Sequence, residues 1–152
     1  MRTRSGNAVE EGQAFIPEVS FSGQYYPICG HFFWDNDNGA TSVCKLFGFK
    51  KGEITRTDAV YDVDAMPVGR CNPGQELTKC TGAGNIWGDF NADGGSCKKG
   101  KEAGVTVTCT EPSMCCLGTG VAIVACMVAI VFARRCVVVP FDSLNDPSRV
   151  LP

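Results

Sequence analysis

The chain has 152 residues, a formal charge of −2 at neutral pH, 44% apolar residues and ten cysteines around a single histidine. So mild and mixed a charge leaves no basic footprint for nucleic acid, and one histidine argues against a Cys/His zinc site. Cysteine this dense, with no C-x-x-C pair, points to disulfides formed in an oxidising compartment.

Residues 1–18 are polar, contain Gly6 and Gly12 and reach Pro17 near their end, which predicts a flexible arm. Arg2 and Arg4 are followed by no apolar stretch of the signal-peptide kind. Export is therefore expected to rely either on a targeting segment already removed or on a membrane helix further along.

A compact domain is expected over residues 19–110. Short β-like runs fall at 19–21, 24–29, 54–55, 59–63 and 105–110, the last placing Val105, Val107 and Cys109 on one face. They predict a small antiparallel sheet. Between them, Ala40, Val43, Cys44 and Phe47 recur at helical spacing, with Asp37 or Asn38 to cap the start and Gly48 to end the helix in a left-handed conformation. Its apolar face, Cys44 included, is expected to lie on the sheet. Residues 66–104 are rich in Gly, Asn and Asp and read as long loops pinned by cysteines. A domain of this size buries a modest core, which cross-links would reinforce.

Residues 114–133 predict a transmembrane helix. The nineteen residues 115–133 carry no charge, and at about 1.5 Å per residue they approach the ~30 Å thickness of a bilayer's hydrocarbon core. Arg134 and Arg135 abut the far end, so the positive charge sets the C-terminus on the cytoplasmic or stromal side and the N-terminal domain in the extracellular space or a lumen. Gly118, Ala122, Ala125, Ala129 and Ala133 form a small-residue face suited to packing against another membrane helix. Residues 134–152 read as a short inner tail, too short for a signalling domain. Cys115 and Cys116 at the outer boundary are candidates for pairing, and Cys136 for lipidation.

Several motifs in the cysteine block resemble the scavenger receptor cysteine-rich family. Gly23-Gln24-Tyr25-Tyr26-Pro27-Ile28-Cys29 is similar to that family's early strand, and Trp34-Asp35 followed by Val43-Cys44-Lys45-Leu46-Phe47-Gly48-Phe49 is similar to its helix. Cys71, Gly74, Glu76, Leu77 and Cys80 resemble its short cysteine-flanked loop, and Glu102-Ala103-Gly104-Val105 with Cys109 its closing strand. The resemblance implies an α+β fold, a curved antiparallel sheet cradling one helix. It also implies bridges Cys29–Cys97, Cys44–Cys109 and Cys71–Cys80. The chain departs from the family where many members carry two adjacent Asp residues that bind a divalent cation, since Gly30 and His31 stand there instead. The cation site is therefore not carried over, and neither a metal nor another cofactor is expected.

Asp35-Asn36-Asp37-Asn38-Gly39 has the look of a calcium loop but lacks a closing acid, since Leu46 stands in its place, so turn and cap chemistry is the simpler reading. Phe32, Phe33 and Trp34 are candidate interaction residues, weighed against core filling for Trp34 and one of the two Phe. No nucleophile–base pairing is evident, so no enzyme is expected. The reading that emerges is a non-catalytic single-pass membrane protein whose outer domain binds protein. It would act as an accessory or assembly subunit of a larger complex, with photosynthetic or respiratory membranes, the thylakoid lumen included, as one setting. Its expected partners are other transmembrane subunits, a protein ligand on the outer side and membrane lipid. The alternative, implied by the resemblance alone, is a free-standing surface receptor for polyanionic or protein ligands.

Overall fold

A computed structural model describes residues 1–80 and 84–113. The expected membrane helix, its small-residue face, Arg134, Arg135 and Cys115, Cys116 and Cys136 lie outside the described residues. Among the described residues no helix is long and apolar enough to cross a membrane.

Six strands build the domain: β1 (Arg2–Thr3), β2 (Ala14–Phe15), β3 (Pro17–Phe21), β4 (Gln24–Pro27), β5 (Phe49–Arg56) and β6 (Val105–Pro112). All pair antiparallel, but in two three-stranded sheets ordered β1-β3-β4 and β2-β6-β5, where the sequence predicts one sheet. The chain changes sheets at Ile16. Phe15 pairs with Val107 in one sheet, whereas the Ile16 carbonyl accepts the Arg4 amide beside the other, and Pro17 then opens β3 with no N–H of its own to place.

β3 and β4 form a tight hairpin. Ser22 (φ 49°) and Gly23 (φ 79°) are both left-handed, the combination a two-residue turn needs to match the strand twist.

Helix α1 (Asn38–Leu46) buries Ala40, Val43 and Cys44 and packs against β5 and β6. It ends as the spacing predicts, with Gly48 at φ 84°. Its start differs from expectation, because the Asp37 carboxylate makes no cap bond to the helix. Asp37 Oδ1 instead accepts the Ile54 amide at 2.9 Å, and Thr41 Oγ1 accepts that of Gly52 at 3.3 Å. Side chains from the start of α1 thus satisfy part of the outer edge of β5, which protects an otherwise open strand edge.

The first eighteen residues hold β1, β2 and the start of β3 where the sequence predicts a flexible arm. β2 is held by its pairing with β6, and β1 by its pairing with β3 and by Glu18, 4% exposed, whose carboxylate accepts Arg2 Nε at 2.8 Å and an Arg4 terminal nitrogen at 3.2 Å, while Arg4 also reaches Asp62 at 2.5 Å. A buried carboxylate requires such partners. The expected strand at 59–63 is reduced to a single bridge between Val60 and Glu102.

Three disulfides close the domain, Cys29–Cys97, Cys44–Cys109 and Cys71–Cys80, the same pairs as the resemblance implies. The first two span 68 and 65 residues. In the chain-entropy account each contributes roughly 4 kcal/mol by restricting the unfolded chain, and the short third bridge under about 3 kcal/mol. The main core gathers Val19, Ile28, Phe33, Val43, Met66 and Val107, and a smaller cluster surrounds Cys29 and Cys97 with Tyr61, Ala65 and Ala103.

Candidate functional site

The aromatic stretch after Cys29 is divided by one backbone conformation. Phe32 is left-handed (φ 60°, ψ −21°), an unusual state for a bulky residue, and it starts a single 3₁₀ turn, Phe33–Asp35. The Gly30 carbonyl accepts the Trp34 amide at 2.9 Å and the Gly30 amide donates to Ala103, so the turn is tied to the segment that leads into β6. Phe33 is driven into the core, 1% exposed, and is withdrawn from any contact surface. Phe32 and Trp34 are half-buried and remain accessible.

Gly30 and Gly39 make this arrangement fit. A Cβ at Gly30 would stand 2.3 Å from Trp34 Cε3 and 2.5 Å from Val105 Cγ1, and one at Gly39 would stand 2.2 Å from the Phe33 ring. Neither position tolerates a side chain while both aromatic rings keep their places.

Around Trp34 the tertiary structure assembles groups distant in sequence. The Arg56 guanidinium lies 4.1 Å from the Trp34 ring centroid and pairs with Asp58, while Arg70 Nε donates to Asp35 Oδ2 at 2.9 Å. The His31 ring lies 4.3 Å from that of Phe32 and meets Trp34 edge-on at 5.9 Å. His31 Nδ1 sits 2.6 Å from Asp93 Oδ2, close enough for an ion pair but off the line of a hydrogen bond. Asn85 is fully buried and donates from Nδ2 to the His31 carbonyl at 2.9 Å. No local pattern in the sequence marks Arg56, Arg70, Asn85 or Asp93 as neighbours of this stretch.

Such a surface can stack on flat groups and donate to carboxylates. It has no thiol to offer as a nucleophile, since all six cysteines of the described residues are bridged. One side-chain oxygen each of Asp35, Asn36 and Asp37 in the acidic loop is engaged as well. Asn36 Oδ1 accepts the Asn38 amide at 3.0 Å, Asp37 holds Ile54 and Asp35 holds Arg70. Among the described residues no group of three or more His, Cys, Asp and Glu is placed to hold a metal ion.

Fold and site together define a small disulfide-rich α+β domain with an aromatic, cation-bearing face. In comparisons with protein-family models, curated proteins and solved structures, none matches the chain.

Proposed function

We propose that the chain is a non-catalytic, single-pass membrane protein whose outer domain is an interaction module, serving as an accessory or assembly subunit of a larger membrane complex. The observation that carries this reading is a juxtaposition in the chain. A domain closed by three bridges is followed at once by the uncharged residues 115–133 and then by Arg134 and Arg135. The bridges favour an oxidising side, and the arginines favour the opposite side for the tail.

The resemblance to the scavenger receptor cysteine-rich family supports a binding role, and so does the pairing of Trp34 with Arg56, two residue types that dominate protein interfaces. The small-residue face from Gly118 to Ala133 suits a neighbouring membrane helix. Purification in mild detergent tests the proposal. Co-migration with a stoichiometric set of membrane subunits, weakened by Ala129→Leu, is the expected result. A monodisperse free protein that captures polyanions would replace the assembly role with that of a surface receptor.

A further inference from the structure

The described chain leaves the domain beside the end of helix α1. The Ser113 amide donates to the Gly48 carbonyl at 2.7 Å, and Phe49 is the register partner of Pro112. Cys115, at the start of the uncharged residues 115–133, follows two residues beyond Ser113, at most about 7 Å of extended chain. On the proposed anchoring of residues 114–133, on which this inference rests, Gly48 and its neighbours are held within reach of the lipid headgroups.

The surface at that point has a matching chemistry. Leu46 is 65% exposed, more than any other large apolar side chain described, in the last turn of α1. Lys45 and Lys50 flank it, both exposed, and neither has an ion pair among the described residues. Phe47 is half-buried and met edge-on by Phe15 at 5.5 Å, which braces this end of the helix. Of the acids nearby in the fold, Glu76, which lines the same groove as Lys45 and Leu46, is paired with Lys79, Glu111 is paired with Lys51, and Glu11 accepts the Glu111 amide at 3.2 Å. An exposed leucine with two exposed lysines within four residues of it, neither ion-paired among the described residues, suits a bilayer interface, where the apolar group enters the acyl boundary and the ammonium groups stay among phosphates.

We infer that the end of helix α1, through Lys45, Leu46 and Lys50, docks on anionic lipid headgroups of the leaflet from which the domain emerges. The contact would fix the domain's tilt over the membrane, and with it the direction in which the Trp34–Arg56 face is presented.

The test uses the full chain in nanodiscs of phosphatidylcholine with and without phosphatidylglycerol, each doped with a photoreactive headgroup lipid. Peptide mapping is expected to find the domain's adducts concentrated on residues 45–50, more abundant with phosphatidylglycerol and reduced by salt. Lys45→Glu with Lys50→Glu should lower their yield by at least about fivefold, since each lysine near an anionic surface adds to the attraction. Leu46→Ser, at a site exposed in the fold, should lower it independently while the three bridges still form. Equal yields with and without phosphatidylglycerol would overturn the preference for anionic lipid. Adducts elsewhere on the domain, in a chain that alkaline carbonate leaves embedded, would overturn the docking face and spare the anchor. A chain that carbonate washes off would overturn the anchor and this inference with it.

Discussion

Gly52 of strand β5 lies directly beneath Ala40 of helix α1: a Cβ added to the glycine would stand 2.4 Å from the Ala40 carbonyl oxygen and 2.6 Å from Cys44 Sγ. Helix and strand therefore meet backbone to backbone, and the Cys44–Cys109 bridge fastens the same contact to β6. Gly52→Ala should push the helix off the sheet and cost about 1–3 kcal/mol, as overpacking does. A fall in the thermal midpoint of the full chain in mild detergent checks this, and an unchanged midpoint would mean that the helix yields freely.

Loss of the Cys44–Cys109 bridge acts on the unfolded chain as well as on this contact. Removing a native disulfide from a small exported domain costs about 2–5 kcal/mol, against a total stability of only ~5–15 kcal/mol. Cys44→Ser is expected to prevent accumulation of folded protein, read as lost protease resistance. Normal levels of a resistant domain would show that burial alone suffices.

Tyr61 is buried in the smaller core, where its hydroxyl accepts the Val105 amide at 3.1 Å. Burial raises its pKa above the ordinary value, an effect that the Val105 hydrogen bond and the Arg4 charge oppose and the Glu18 charge reinforces. The folded state thus favours the neutral phenol. The stability this confers is complete below the unfolded pKa of about 10 and is lost as pH rises through the folded value. Tyr61→Phe leaves the Val105 amide without its partner and should cost about 1–3 kcal/mol near neutral pH. Denaturation midpoints taken from neutral to strongly alkaline pH should show the gap between the two proteins narrowing, whereas a gap that widens would contradict the burial account.

Glu18 helps tie strand β1 to the domain through Arg2 and Arg4. Glu18→Gln removes the charge that both arginines share and should cost about 1–3 kcal/mol, the range for losing partners of a buried hydrogen-bonded group. The sharper readout is local. Trypsin should cut faster after Arg4 in the variant, and equal rates would mean that strand pairing alone holds the segment.

Helix α1 is legible in the sequence from its apolar periodicity and the glycine that ends it, and the runs 19–21 and 24–29 mark where β3 and β4 lie, though not the turn that joins them. β1 and β2 are not. Each is two residues long, with no period to detect, and exists because β3 or β6 offers it a partner. The aromatic stretch is legible as a candidate surface, yet its division into buried Phe33 and accessible Phe32 and Trp34 depends on the left-handed turn at Phe32 and on the room left by Gly30 and Gly39. Arg56 reaches Trp34 across a separation that no local pattern spans.

Causes that act over a few residues are already present in the unfolded chain: the spacing that makes α1, the turn that makes the hairpin, and the cysteine density that demands cross-links. Which cysteines pair is suggested only through resemblance, and the fold joins the same three pairs. The division into two sheets, the service of Asp37 to a strand edge and the hold of a buried carboxylate on the first residues appear only in the assembled domain. Each depends on groups brought together by chain closure, and the bonds to the buried carboxylate gain further strength where the core excludes water.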